Sequence, residues 1–354
     1  VPAFAASPTH TTLPGALDPD FGTDGTQLLS LTSGVDFIHE INYLPDGKIL
    51  AVGAVNDHFG LIRFNSDLSL DASFGTGGVV ESDFGGGQHA LTWTMHPDGT
   101  LLVAGGSQLA KYNLDGTLDT SFGTDGRVNN GHTNSILSVA VQPDGKILAA
   151  GHSNAGFRVS RYHPDGSPSG NWDFNAHSRS GDDRTTGVYP LEDGDFLIVG
   201  GGDVNFHDSH YHRFSAKRIS VSGSQETSFD HDFGNNHKVY RSLELPDGKI
   251  LMVGRLDGDF LISRIHRDGN LDTSFGDSGK TRIPVLNGDD YAQGVSLQPD
   301  GKILLVGKSH NGSNWDLSIT RLSYDGQLDT ALDGDGKLSI SLSGNEDGYA
   351  VLSM

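Results

Sequence analysis

Leu118-Asp119-Thr120-Ser121-Phe122-Gly123-Thr124-Asp125-Gly126 opens the stretch on which the fold turns. An alternating run follows, Ser135-Ile136-Leu137-Ser138-Val139-Ala140-Val141, and then the turn Pro143-Asp144-Gly145. The stretch closes on Lys146-Ile147-Leu148-Ala149-Ala150-Gly151. Pro presets φ at the first central turn position and Gly supplies positive φ, so Pro-Asp-Gly between two apolar runs is a hairpin. Working outward, the hairpin aspartate recurs at Asp46, Asp98, Asp193, Asp247 and Asp300, at intervals of 46 to 54 residues. The other signal, Leu-Asp-x-x-Phe-Gly, recurs with its aromatic at Phe21, Phe74 and Phe275, and in degenerate form at Phe174 and Phe229. A seventh copy is worn to Leu328-Asp329-Thr330-Ala331-Leu332-Asp333.

Each unit of this period reads as four short strands separated by Gly, Asp and Asn, and no window carries helical apolar spacing over three turns. Four-stranded units repeated at this length predict an all-β chain, a β-propeller forming one domain over 1–354. A straight solenoid is the alternative, with coils usually shorter than this. The chain ends bear on the blade count. Counting back from Phe21, residues 1–6 fall where a second strand belongs, and Asp347-Gly348-Tyr349-Ala350-Val351-Leu352 matches the first strand that begins Asp290-Tyr291. The expectation is therefore seven four-stranded blades with one blade closed by both termini, which removes exposed sheet edges. Six blades is the alternative.

Composition bounds the partners. The 49 Gly and three Met suit turn-dense β structure, and a net charge of −21 argues against nucleic acid or an anionic membrane. No apolar run reaches membrane-spanning length, which excludes membrane insertion through a helix. The absence of Cys removes disulfides, thiolate metal sites and a thiol nucleophile. The opening Val1-Pro2-Ala3-Phe4-Ala5-Ala6-Ser7-Pro8 is similar to the tail of a secretory signal, so a secreted or periplasmic location is expected.

Leu-Asp-Thr-Ser-Phe-Gly-Thr-Asp-Gly and Gln-Pro-Asp-Gly-Lys-Ile-Leu resemble the delta-60 repeat family, β-propeller-like repeats of bacterial, often exported, proteins. The match covers nearly the whole chain, is best at Asp20-Phe21 and over 70–78, 118–151, 244–276 and 298–330, and implies a fold without a shared reaction. The cadence of hairpins also resembles that of NHL-type propellers, which are mostly binding platforms. The fourth unit departs from the pattern: Glu192 replaces Pro, Asp195 replaces Lys, and residues 201–212 lengthen the loop between its second and third strands.

Repeated turns occupy one face of such a ring, and the connections that vary from blade to blade occupy the other, where function collects. Residues nine or ten places before each hairpin aspartate are expected around the channel mouth. They are Asp36 and Phe37, Gln88 and His89, Asn134 and Ser135, Asp183 and Arg184, His237 and Lys238, Asp290 and Tyr291. His132, His177, Asp182 and Asp289 are expected nearby, with His58, His152, Asp257, Asp259 and His310 on adjacent loops. Twelve of the 16 His fall on or beside this face, including His39 and, at its margin, His231.

Imidazole with carboxylate suits acid–base work near neutral pH or a divalent metal. His89, His237, Asp183, Arg184, His39, Asp290 and Tyr291 are the candidate catalytic set. His207, His210, His212 and Asp208 are the candidate ligands of a divalent metal, Zn or Ca. No nucleophile elbow, no zinc-protease helix motif and no complete calcium loop is present. The reading is a secreted propeller that binds a glycan, peptide or small molecule on a His/Asp-rich mouth with its aromatics, Trp93, Tyr240, Tyr291 and Tyr349. The alternative is a lyase or hydrolase with a His/Asp acid–base pair, metal-assisted or not, at the same place; a plain structural ring is the third.

Overall fold

The computed structural model describes residues 31–353 except 33, 86, 132–134, 154–155, 175–183, 207–208, 232, 234–236 and 342–344, and the backbone alone over the rest of 202–213. Its described residues form six four-stranded antiparallel sheets arranged as propeller blades. Blade 1 holds β1 (Phe37–Tyr43), β2 (Ile49–Val55), β3 (His58–Phe64) and β4 (Val79–Ser82). Blade 2 holds β5 (Thr92–Met95), β6 (Leu101–Gly105), β7 (Gln108–Tyr112) and β8 (Arg127–Asn129). Blade 3 holds β9 (Ser135–Val141), β10 (Ile147–Ser153), β11 (Gly156–Tyr162) and β12 (Pro168–Phe174). Blade 4 holds β13 (Arg184–Pro190), β14 (Phe196–Phe206), β15 (Ser209–Ile219) and β16 (Gln225–His231). Blade 5 holds β17 (His237–Glu244), β18 (Ile250–Leu256), β19 (Asp259–Ile265) and β20 (Lys280–Ile283). Blade 6 holds β21 (Asp290–Leu297), β22 (Ile303–His310), β23 (Trp315–Leu322) and β24 (Lys337–Ile340).

The second strand of each blade is sandwiched between neighbours, so it reads as a continuous apolar run rather than an alternating one. Every residue of β2 is buried, as is every residue of β6. Their side chains build cores between blades: Leu50, Phe59 and Phe74 of blade 1 meet Leu101, Val103 and Tyr112 of blade 2. The same arrangement joins blades 5 and 6 through Leu251, Phe260, Leu305 and Leu322. Full burial of each such side chain contributes about 1.5–3 kcal/mol.

The repeated motif is a latch from one blade to the next. Its aromatic rests on the glycine in the turn before the fourth strand of the following blade: Phe74 on Gly116, Phe122 on Gly166, Phe275 on Gly326. Where the motif is degenerate, Trp172 and Phe229 take the same place against Gly223 and Gly269. These five glycines have φ between 82 and 90°, and a β-carbon on Gly326 would stand 2.7 Å from the Phe275 ring. Only glycine meets both demands. The aspartate of the motif anchors the arrangement. Asp272 accepts from the Ser274 amide at 3.1 Å, from Arg264 at 2.8 Å, and pairs with Lys249 of the hairpin at 3.1 Å. Asp71 repeats this with Ser73, Arg63 and Lys48. Blade 3 lacks that aspartate, and its hairpin lysine, Lys146, turns back on Asp144.

The seven-bladed expectation, with one blade shared by the termini, is corrected to six. Residues 347–352, expected as a first strand, lie beside β21 without strand pairing. Ser353 Oγ donates to the Leu297 carbonyl at 2.9 Å, and Leu352 packs on the face of blade 1 opposite the one facing blade 2, against a core that includes Ile49, Ala51 and Ile62. A first strand takes a ladder of backbone hydrogen bonds from a second, and among the described residues no strand pairs along this segment; just before it the Glu346 amide donates to the Trp315 carbonyl at 2.8 Å. Residues 1–6 and Phe21 lie outside the described residues. The lengthened loop expected over 201–212 is instead a hairpin extension: β14 and β15 run 11 residues each and pair as far as Phe206 with Ser209.

Candidate functional site

The first strands of all six blades line a central channel, joined by the segment 349–352. Five of these strands carry a β-bulge near their start. The register slips between Ile38 and Glu40, Thr185 and Gly187, Val239 and Arg241, and Ala292 and Gly294, and β9 slips around Leu137. A bulge places one extra residue opposite the partner strand and re-aims it. The re-aimed residues, His39, Leu137, Thr186, Tyr240 and Gln293, all line one cavity of about 500 Å³ at the channel mouth, with Leu91 in the matching place on blade 2. All six stand seven residues before their hairpin aspartate.

The cavity is cationic in an acidic protein. Arg184, Lys238 and Arg241 line it with His39 and His152, and no carboxylate belongs to its described lining. Arg241 forms the floor: Nη2 donates to the His39 carbonyl across the channel at 2.7 Å, and Nη1 lies 3.9 Å from Glu40. Burial raises the Glu40 carboxyl, against the pull of Arg241 and of hydrogen bonds from Thr92 and the Trp93 amide. Burial likewise lowers His39, and the charges of Arg241 and His89 add to it, to about 4. His39 is therefore neutral at physiological pH, and a bound anion would favour its charged form.

A family profile described as "Domain of unknown function (DUF5122) beta-propeller" matches residues 44–74, 96–122, 142–168, 245–275 and 298–331. The chain belongs to this family. In the DUF5122 repeats the matched segments run from the hairpin to the latch aromatic, into the turn before the fourth strand, or in blade 3 to the first residue of that strand, and blade 4 is left unmatched, in keeping with its degenerate turn. No curated protein sequence matches the chain. Among solved structures, a catalytically inactive virginiamycin B lyase from Staphylococcus aureus, solved with quinupristin, is 14% identical with a TM-score of 0.57 and covers 86% of each chain. A protein from Lactobacillus plantarum is 13% identical with a TM-score of 0.52, covering 88% of this chain and 86% of the other. Both are alike in fold alone.

The sequence-derived candidates disperse in this DUF5122 propeller. Arg184 and His39 reach the mouth cavity. His237 does not: it is 0% exposed and stacks on Phe214 with ring centroids 5.8 Å apart. Asp290 is buried as well, and its carboxylate accepts from the Val285 amide at 2.8 Å, holding the connection that enters β21. Asp36 does the same for Thr32 and Asn56. His89 sits outside the cavity and shares a 2.8 Å hydrogen bond with Asp57, while His58 contacts Glu81 at 2.6 Å. His231 bonds the Gly269 carbonyl on an outer strand. The expected His/Asp-rich mouth is thus a His/Arg/Lys mouth among the described residues, because carboxylates placed before a first strand serve as loop caps.

Asp183, His207 and Asp208 lie outside the described residues, as do the side chains of His210 and His212. Among the described residues no three His, Asp or Glu stand close enough to hold a metal ion. Arg241 and Glu40 were not expected. Their signal is a charged residue six places before the hairpin aspartate, on strands that otherwise carry small or uncharged residues there.

Proposed function

We propose that this propeller is a binding module whose channel mouth takes the acidic group of a small molecule, glycan or peptide. The observation that supports the reading is the cluster of Arg184, Lys238 and Arg241 around a cavity with no carboxylate in its described lining, on a chain of net charge −21. Elsewhere the cations are largely consumed by the turn aspartates, as Lys48, Lys111 and Arg264 are. A guanidinium suits bidentate contact with a carboxylate, and an ammonium adds point charge beside it. The pre-formed ring of strands spares the ligand the cost of ordering its site. Acid–base catalysis has less support: neither His39 nor Arg184 has a described carboxylate neighbour within the cavity, and the His89–Asp57 pair stands apart from it.

Calorimetry with citrate and galacturonate, set against neutral galactose, tests the reading. Both acids are expected to bind, galactose not, with binding weakened by salt and lost in Arg184→Ala/Lys238→Ala. Indifference of the acids to that double substitution would sink it.

A further inference from the structure

Tyr240 lines the mouth, and from it a run of aromatic rings leads away over blades 5 and 6. Tyr291 follows at 6.1 Å between centroids, Trp315 at a further 5.3 Å, and His310 stands 5.0 Å beyond Trp315. Cations alternate with the rings. Arg255 lies 4.8 Å from the Tyr291 centroid and donates to its hydroxyl at 2.6 Å. Lys308 is 5.8 Å from Tyr291 and 5.3 Å from Trp315. Tyr240, Tyr291 and Trp315 are each half-buried, and none belongs to the hydrophobic cores between blades. Core packing therefore does not account for them.

The run is held in place. The Trp315 amide donates to Asn345 at 3.1 Å, its carbonyl accepts from the Glu346 amide at 2.8 Å, and Asp347 fixes Lys308 at 2.6 Å. Rigid, partly exposed rings flanked by hydrogen-bonding groups suit a ligand with alternating C–H faces and hydroxyl edges. That is the chemistry of a sugar ring. An apolar peptide side chain would need a deeper aliphatic pocket than the run offers. A nucleic-acid strand would need uncompensated cations to track its phosphates, and Asp347 neutralises Lys308.

We infer that Tyr240, Tyr291 and Trp315 form an extended subsite for the sugar units that follow an acidic sugar seated in the mouth, so that the ligand class is an acidic oligosaccharide. The inference rests on the mouth reading above, and chain length separates the two. Calorimetry on the full chain with galacturonate and linear trigalacturonate is the experiment. The trimer is expected to bind at least about tenfold more tightly than the monomer. Tyr291→Ala and Trp315→Ala should each remove most of that gain, Trp315→Ala with the monomer's affinity unchanged, and Trp315→Phe should keep part of it. Unchanged thermal midpoints show that these variants are folded. Equal affinities for monomer and trimer, or a trimer gain that survives both alanine variants, overturn the subsite and leave the mouth reading standing. Failure of galacturonate itself to bind removes the acidic-sugar assignment, whereas failure of citrate as well removes the mouth reading beneath it.

Discussion

Replacing Phe275 by alanine tests whether the latch between blades carries the stability of the ring. The side chain is 0% exposed, rests on Gly326 of the next blade and lies 4.6 Å from the Arg264 guanidinium. Truncating a buried Phe costs about 3–5 kcal/mol with its cavity. Loss of the cation–π contact in a desolvated place adds about 1 kcal/mol. Phe275→Leu should cost far less, about 1–2 kcal/mol, because blade 6 already carries Leu332 at the same position, 6% exposed. Urea unfolding followed by fluorescence and by circular dichroism reads both variants, with coincident curves needed for a single transition. The alanine variant should shift the midpoint by about 1 M or more, and the leucine variant by less than half as much. Equal shifts in the two variants, or none in either, would refute the latch.

Two further outcomes concern protons. Asp71 is held below the usual carboxylate range by Lys48 first, against burial, and then by Ser73 and Arg63; for Asp272 burial opposes, and Ser274, Lys249 and Arg264 outweigh it. Such groups bind fewer protons folded than unfolded, so their contribution is full above about pH 4 and drains away below it. Asp272→Asn should lower stability at pH 7 by about 3–5 kcal/mol, since it strands Arg264, and should flatten the acid limb of a stability–pH curve. A limb as steep as that of the unsubstituted protein would contradict this. His39, pushed down to about 4, is also less protonated folded than unfolded, so stability should fall as pH drops from 6.5 toward 4. His39→Gln should remove that slope, and its persistence would place the proton elsewhere.

The blade was legible because its turns have a mechanism. Pro-Asp-Gly dictates a hairpin wherever it stands, and Leu-Asp-x-x-Phe-Gly spells out a cap, a charge pair and a latch within a few residues. The count of blades was not legible. The similarity of Asp347 to Leu352 to a first strand is real in pattern, and Tyr349 does face the mouth at 45% exposure, but pattern alone cannot supply a pairing partner. The mouth was half legible. Of the ring expected nine or ten places before each hairpin aspartate, Ser135, Arg184 and Lys238 do line the cavity. Alternation along β1 or β17 cannot reveal where a bulge interrupts it, however, and Asp36, His89, His237 and Asp290 stand two or three residues before the re-aimed column and outside the lining. Aligned on the hairpin aspartates, the column of His39, Leu91, Leu137, Thr186, Tyr240 and Gln293 mixes polar, aromatic and aliphatic residues. Two places later Ile41, Trp93, Val139, Val188, Ser242 and Val295 are largely apolar. That contrast is the trace a bulge leaves in a repeat.

The contact of each aromatic with its neighbour's glycine gives the wheel a direction of dependence. A unit holds the plug for the socket ahead and the socket for the plug behind, so copying a whole unit transmits a working joint, whereas a cut made within one ruins two. Blade 1 carries Leu68 at φ 66° where the others carry the socket glycine, and blade 6 offers the blunter Leu332. Among the described residues those two blades carry the joints that depart from the plug-and-socket pattern, so a whole unit added or removed beside them would disturb the fewest well-fitted joints.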